Sequence, residues 1–479
     1  MNRLSILSLT AAAILLAGCA VPPRPSHPDL SGAAPLAGVP SNANAAWPES
    51  SWWHRYDDAQ LNDLEARALL DSPTLAVARA RFDQATRNVD VANANGGASV
   101  TGSAQLQRDR LSEHGLIPSQ FLGFNWYGQG DLGVSFNYDF DFWGSHGADI
   151  AAAVDRARAA AAERDAAASM LTAAVANTYF AWQADQARLA LAHQIADGYE
   201  RGRVIVAARA RQGLDSDDNV HKADAELAAA REEIAKLEGD ARIQHATLAA
   251  LLGVAPKDLG DLQARPLPEA AAGLPHDAGL DLVARRAEVA ASRWRVEAAL
   301  KDVDVARAAF YPDLSISAMA GLSSIDLGKL LTPGSAVFAA GPALHLPIFE
   351  GGRLHARFGV SQAALAAAVA DYHQAVTDAA HDVAMQTLTL QLIQERQRQN
   401  AAQVAARTQL LASARARMKR GLSDAIPVLD AGETLDRQRD ATVQLDAAAL
   451  TAEIALTRAL GGGFGANPPP TSSSGAPSP

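Results

Sequence analysis

The 479-residue chain is poor in several things that mark common protein classes: it has one cysteine, 5% aromatic residues and, beyond residue 20, no run of 18 apolar residues. A single cysteine excludes a disulfide framework within the chain and a multi-cysteine zinc site. The missing apolar run excludes an ordinary transmembrane helix. Positive charge is also short, with 42 Lys and Arg against 53 Asp and Glu, a net −11. An acidic balance argues against a nucleic-acid partner, which needs clustered cations. The twelve histidines are scattered. None forms a ligand pair at i, i+4 spacing, and His373 and His381 read as solvated positions on one helix. There is no G-x-S-x-G, no Walker A and no H-E-x-x-H, so no catalytic site, metal or cofactor is expected. What remains is a chain 48% apolar and 20% charged, dominated by alanine. That composition describes long helices at close approach, and the length allows three ordinary domains at most.

The N-terminus reads as an address. Arg3 supplies a positive region and Leu4 to Leu16 a short apolar one, the grammar of a signal peptide over residues 1–18. The only cysteine closes Leu16-Ala17-Gly18-Cys19, which resembles the bacterial lipobox. Cys19 is therefore the expected lipidation site and first mature residue, followed by a Pro-rich tether through residue 46. Several acyl chains hold a protein at a bilayer, at about 0.8 kcal/mol per buried methylene. Ala20, where inner-membrane lipoproteins commonly carry Asp, favours the outer membrane. The mature charge is 41 − 53 = −12, Arg3 being lost.

The rest of the chain is written twice. Val89-Asp90-Val91-Ala92 returns as Val303-Asp304-Val305-Ala306, 214 residues later. Phe142-Trp143-Gly144 aligns with Phe349-Glu350-Gly351, 207 later, and Gly213 with Gly421, 208 later. The spacing is far too long for a solenoid and means duplication of one large unit. The first repeat spans 47–252 and the second 280–463, with a Pro-rich linker at 253–279 and a tail at 464–479 expected to be disordered. Each repeat opens with a helix, near 74–94 and 280–309. Ser72-Pro73 is a start signal for the first and Pro312 ends the second. Two extended segments follow, near 98–107 and 131–142 in the first repeat and near 314–322 and 336–348 in the second. Residues 131–142 alternate strictly, with Leu132, Val134, Phe136, Tyr138, Phe140 and Phe142 on one face and polar residues or glycine on the other. Pro342 is a blemish in the last segment. The period then changes to that of a helix. Helical hairpins are expected over 148–252 and 355–460, packed like antiparallel coiled coils. Tyr179 and Trp182 read as core.

Strands of this length and alternation suit an outer membrane, with Leu132, Val134, Phe136, Tyr138 and Phe140 toward lipid. Four strands close no barrel, since small single-chain barrels need about eight, and open edges are intolerable in hydrocarbon. If these strands span a membrane, several copies must share one barrel. The alternative is a water-soluble four-stranded sheet packed on helices; the lipobox and the long helices favour the membrane. Gly128-Gln129-Gly130-Asp131-Leu132-Gly133 fits G-x-G-x-x-G but precedes a strand, not a helix, so its glycines are expected to shape the end of an exposed loop. Gly198 and Gly202 form GxxxG among charged residues, unlike a membrane dimer face.

Tyr138-Asp139-Phe140-Asp141-Phe142-Trp143-Gly144, Ala306-Arg307-Ala308-Ala309-Phe310-Tyr311-Pro312, Pro347-Ile348-Phe349-Glu350-Gly351-Gly352-Arg353, Val428-Leu429-Asp430-Ala431 and Ala459-Leu460-Gly461-Gly462-Gly463 together resemble the TolC family, and most of all its OprM/NodT-type lipoprotein branch. Val283-Ala284-Arg285-Arg286-Ala287-Glu288-Val289 resembles the family's arginine-paired motif. The likeness covers roughly residues 47–463. Asn93-Ala94-Asn95-Gly96-Gly97 departs from it, standing where the family has a proline-containing strand entry. The resemblance implies a mixed α and β fold: a homotrimer whose twelve strands form one barrel and whose helices form a periplasmic tunnel. It also implies docking on a periplasmic adaptor (membrane fusion) protein and an inner-membrane efflux pump. The implied function is an exit duct for small toxic compounds, with no enzyme activity. A type I protein-secretion channel and a non-pore coiled-coil lipoprotein are the rivals.

The helix breaks are the last candidates. The first reads Arg211-Gln212-Gly213-Leu214-Asp215-Ser216-Asp217-Asp218-Asn219 and the second Lys419-Arg420-Gly421-Leu422-Ser423-Asp424. Both are capped turns. By resemblance they lie at the periplasmic mouth, where threefold repetition would make Asp215, Asp217, Asp218 and Asp424 a charged constriction. Arg417 and Arg420 are the expected ties between neighbouring hairpins.

Overall fold

A computed structural model describes residues 21–41, 45–112, 123–271, 273–275 and 278–464. The expected signal peptide, Cys19 and nearly all of the expected tail lie outside them. The elements are, in order, a short 3-10 turn Trp52–Tyr56, α1 (Ala59–Asp71), α2 (Pro73–Asn95), β1 (Ser99–Arg110), β2 (Trp126–Phe140), α3 (Ser145–Arg211), α4 (Asp217–Leu252), α5 (Ala278–Arg285), α6 (Ala287–Ala308), β3 (Asp313–Ser324), β4 (Ala336–His345), α7 (Arg353–Lys419) and α8 (Ile426–Ala459). The duplication is visible in the elements themselves. α3 and α7 are each 67 residues long, and they start 208 residues apart, at 145 and 353.

Several bounds differ from the expected ones. The segment expected near 131–142 begins five residues earlier, at Trp126, and ends before Phe142. Phe142-Trp143-Gly144 is a turn instead. Asp141 accepts from the backbone N–H groups of His146 (3.0 Å) and Gly147 (2.8 Å) and so caps α3, and Gly144 takes φ +73°. The segment expected over 336–348 stops at His345, ahead of Pro347 and the left-handed pair Gly351 and Gly352. The helix expected over 280–309 is two helices, interrupted at Arg286. α1 was not expected at all. Its N-cap is Asp58, whose carboxylate accepts from Gln60 N–H (2.9 Å) and Leu61 N–H (3.3 Å). The G-x-G-x-x-G run lies inside β2, not at a loop end.

The chain divides into two compact units. One holds the N-terminal segment through Asp29 with Asp83–Arg158 and Arg293–Ala370. At its centre is one antiparallel sheet in the order β1-β2-β3-β4. Pro342 lies in β4, an outer strand of the sheet within the chain, opposite Ile316. Trp143 stacks on Tyr311 with centroids 4.4 Å apart and donates its indole N–H to the Pro312 carbonyl at 2.7 Å. These contacts fix the turn after β2 against the entry to β3. The Pro-rich tether is laid along α6. Arg24 pairs with Asp304 (2.6 Å), His27 lies 3.0 Å from Glu297, and Arg307 donates to the Pro22 carbonyl at 2.9 Å.

The other unit comprises Leu30–Phe82, Ala159–Ser292 and the chain from Asp371 onward. Its core gathers Trp52, Trp53, Leu61, Leu64, Tyr179, Phe180, Leu248, Leu252, Leu450 and Ile454. Tyr179 is fully buried and donates to Asp58 at 2.6 Å; burial first, then the Asp58 carboxylate, pushes its phenol well above the ordinary range. The Pro-rich linker is held by side chains, with Gln60 accepting from Gln263 N–H (2.9 Å) and Gln183 from Arg265 N–H (2.7 Å). Arg285 stacks over Trp47 at 4.6 Å, while Arg286 donates to the Ala459 carbonyl at 3.0 Å. Gly461, Gly462 and Gly463 all have positive φ. A Cβ on them would fall 1.9 Å from Arg285 O, 2.2 Å from Ser169 Oγ and 2.2 Å from Glu49 O. Only glycine fits a backbone approach this close.

Candidate functional site

The register of the sheet sorts its side chains completely. Val100 pairs with Phe136, Phe136 with Ala318 and Ala318 with Ala340. Directly paired residues of antiparallel strands share a face, so every even-numbered strand residue lies on one side. Leu132, Val134, Phe136, Tyr138 and Phe140 therefore share a face with Leu106, Leu314, Ile316, Leu322, Phe338 and Leu344. The odd-numbered face carries Thr101, Ser103, Gln105, Gln107, Gln129, Ser135, Asn137, Ser315, Ser317 and Ser323. All four strand carboxylates, Asp109, Asp131, Asp139 and Asp313, are on that polar face. Asp131 accepts there from Ser323 Oγ at 2.6 Å and from Gln129 at 3.0 Å. The apolar face is uncovered, with Val134 52% and Phe338 80% exposed. β1 and β4 each have one strand neighbour among the described residues.

The two helix breaks are near copies. Gly213 and Gly421 both take φ +71°. In the first, Leu214 N–H reaches Arg209 O (2.9 Å) and Gly213 N–H reaches Ala210 O (2.9 Å). In the second, Leu422 N–H reaches Arg417 O (3.0 Å) and Gly421 N–H reaches Met418 O (2.9 Å). This double bond pattern ends a helix at a left-handed glycine. Ser216 then caps α4, accepting from Asn219 N–H at 3.4 Å.

The acidic candidates are placed unequally. Asp215 accepts from the Asn219 side chain (2.5 Å) and Ser216 N–H (3.0 Å), and its other oxygen is 3.4 Å from Arg209 Nε. The Asn219 bond chiefly, then the Ser216 bond and Arg209, hold its carboxyl below the usual range. Asp217 and Asp218 stand exposed in the first turn of α4, where the helix dipole favours negative charge. Asp424 accepts from Arg209 Nη1 at 3.0 Å and from Ile426 N–H at 3.3 Å. One guanidinium, Arg209, therefore bridges the turns of both repeats. Arg417 and Arg420, the expected ties between neighbouring hairpins, take no part in that bridge. Both are exposed and neither forms an ion pair among the described residues. The Arg417 carbonyl closes the second turn, and Arg420 is in it.

Above the turns, α3 carries further polar links that sequence reading treated as a solvated face. Tyr199 donates to Glu433 at 2.6 Å, and Arg437 pairs with the same carboxylate at 2.7 Å. Arg188 reaches Asp440 at 2.8 Å and Glu233 at 3.2 Å. Positions 188, 199 and 209 are ten or eleven residues apart, about three helical turns, so these rungs lie on one stripe of α3. That spacing is the signal by which they were findable.

Residues 64–254 and 281–462 match the sequence profile of the family described as outer membrane efflux protein. The multidrug resistance outer membrane protein MdtP of Escherichia coli strain K12 is 31% identical over 478 residues, 98% of each chain. The multidrug resistance outer membrane protein MdtQ of Escherichia coli O157:H7 is 31% identical over 464 residues, 94% of this chain and 96% of that one. Among solved structures, the outer membrane protein VceC of Vibrio cholerae superposes with a TM-score of 0.76 at 32% identity, covering 87% of this chain and 100% of that one. The outer-membrane channel OprN does so with a TM-score of 0.81 at 26% identity, covering 93% and 99%.

Proposed function

The chain belongs to the outer membrane efflux protein family, and from that premise we propose that three copies close a twelve-strand barrel and act as the exit duct of a tripartite efflux system. The observation that carries this reading is the sheet. It has one exposed face that is apolar from Leu106 to Phe140 and basic only at its Arg108 end, one polar face holding every strand carboxylate, and two outer strands with a partner on one side only among the described residues. A sheet edge cannot stay open in hydrocarbon, so β1 of one copy pairs with β4 of the next. The apolar face meets lipid and the polar face lines an acidic pore. The number three is what the family resemblance implies.

The protein is placed in the outer membrane, anchored additionally through Cys19. The hairpins run into the periplasm, and their turns form its mouth. There Arg209 holds the turns of one copy together, Asp217 and Asp218 face the axis, and Arg417 and Arg420 are available to a neighbouring copy. A periplasmic adaptor and an inner-membrane pump hand over drugs or other small toxic compounds, which the duct conducts passively. The test is single-channel recording of purified protein in a planar bilayer, with a small cation-selective conductance expected. A protein that inserts as an oligomer and conducts nothing, even with Arg209 replaced by Ala, overturns the duct in favour of a structural lipoprotein.

A further inference from the structure

The four strands separate charge by face and also by end. Their only Lys or Arg residues are Arg108 and Arg110, in β1. Both lie on the even-numbered, apolar face, paired with Gly128 and Trp126. Arginine on a lipid-facing position is costly at mid-bilayer but costs close to nothing at the interface, so in the proposed barrel these two belong at the interface beyond Leu106. Arg108 sits over the Trp126 ring at 5.7 Å, and tryptophan is itself an interface residue. The same end is crossed by the segment joining β3 to β4. Its Leu327 and Leu330 lie so close above Gly130 that a Cβ there would be 2.8 and 2.9 Å from their methyl groups. This explains Gly130 of the G-x-G-x-x-G run: it admits the segment onto the outer face. Laid there, the segment exposes Leu331 at 79% and Ile325 at 58% beside Lys329. The opposite end of the face has Tyr138, Phe140, Leu314 and Leu344 and no basic strand residue.

We propose that Arg108, stacked on Trp126, and Lys329, on the segment pinned over Gly130, form an outward collar that binds the phosphate groups of the phosphorylated glycolipid of the outer leaflet. The inference rests on the barrel reading above, because the strand hairpins point outward only if the helices lie in the periplasm. The chemistry is that of a charge-assisted grip. Arg presents a planar fork to phosphate and Lys a point charge, while Ile325, Leu327 and Leu331 meet the first acyl methylenes. Asp326, paired with Lys329 at 3.2 Å, leaves that ammonium donors to spare, since it carries three. Repeated around the barrel, the collar sets the height at which the channel sits.

The test uses full-length protein reconstituted in vesicles containing either bis-phosphorylated lipid A or the same lipid with both phosphates removed. Lipid retained by the repurified protein is counted by mass spectrometry. Assembly is scored separately, as a heat-modifiable oligomer on gels. Wild type is expected to retain the phosphorylated form in preference. R108Q and K329Q should each cut retention about fivefold, the effect of one cation near an anionic surface, with assembly unchanged, and R108K should keep most of it. Equal retention of the two lipids, or retention unchanged in the R108Q/K329Q double variant, overturns the collar while leaving the channel intact. Failure of every version to assemble in any vesicle would overturn the barrel reading itself, and the collar with it.

Discussion

Replacing Phe136 with Arg tests the membrane reading at its strongest point. Phe136 sits in the even-numbered row between Val134 and Tyr138, flanked across the strands by Val100 and Ala318. It is well away from both the Arg108 end and the Phe140 end. A cation near mid-bilayer on the lipid face costs about 2–4 kcal/mol. Three copies would place three such charges in one barrel, so the assembled channel would lose about 6–12 kcal/mol if the terms add. That is comparable with the whole stability of an ordinary domain, about 5–15 kcal/mol, and Phe136→Arg should yield almost no inserted oligomer. Ser135→Arg moves the same charge by one residue onto the odd-numbered face, beside Thr101 and Met319. There it meets water and the pore's carboxylates, and insertion should be near that of wild type. The readout is the fraction of heat-modifiable oligomer in the membrane, followed by urea titration. If the two arginines are equally tolerated, the sheet is not a membrane sheet, whatever else the chain does.

Other consequences follow from the same geometry. Gly461→Ala should destabilise the unit around Trp52 and Tyr179 by more than about 2 kcal/mol, since φ +106° and the Arg285 carbonyl both reject a Cβ; an unchanged melting temperature would contradict that packing. Glu65 is wholly buried with neither carboxylate oxygen bonded among the described residues, and burial pushes its carboxyl up to about 9 from an ordinary 4.5. Its folded value exceeds the unfolded one, so stability is full below the unfolded value and falls as pH rises toward 9. The slope is at most about 1.4 kcal/mol per pH unit, and denaturant titrations across pH should show it removed in Glu65→Gln. Cys19→Ser should abolish incorporation of labelled palmitate, and label retained in the variant would refute the anchor. Arg209→Ala should raise single-channel conductance by releasing Asp424, while Asp217→Ala with Asp218→Ala should lower cation selectivity, read as a smaller reversal potential in a salt gradient.

Most of the architecture was legible because it rests on period alone. The duplication, the four alternating segments and the long hairpins each repeat a pattern over ten residues or more. What failed was local. β2 was expected to start at 131 and starts at Trp126, because Gly128 and Gly130 erase the apolar alternation, and Gly130 does so to make room for Leu327 and Leu330. A residue chosen for a neighbour distant in the chain carries no periodic signal. Phe142 continues the alternation but leaves the strand, since Asp141 turns its carboxylate to the α3 N–H groups. α1 was missed for the opposite reason, its signal being present but short. Asp58 caps a run whose buried residues, Leu61, Leu64, Glu65 and Ala68, keep helical spacing.

The helix turns show where sequence reading stops. It found both glycines and all the acids, because a left-handed turn and a helix start each demand particular residue types. It did not show Arg209, which meets Asp424 only through the fold, 215 positions away, whereas Arg417 and Arg420 adjoin the second glycine in sequence. The geometry then divides work among four carboxylates that look equivalent in sequence. Asp215 has its oxygens engaged by Asn219, Ser216 and Arg209, so its carboxylate is held in place by the turn and its removal should loosen the turn. Asp424 is likewise engaged by Arg209. Asp217 and Asp218 are exposed and have no cation partner among the described residues, so in the proposed mouth an ion would meet their charge undiminished. If these turns form the mouth as proposed, selectivity and closure are separable: replacing Asp217 and Asp218 should change the first alone, and replacing Arg209, which bonds two carboxylates, the second.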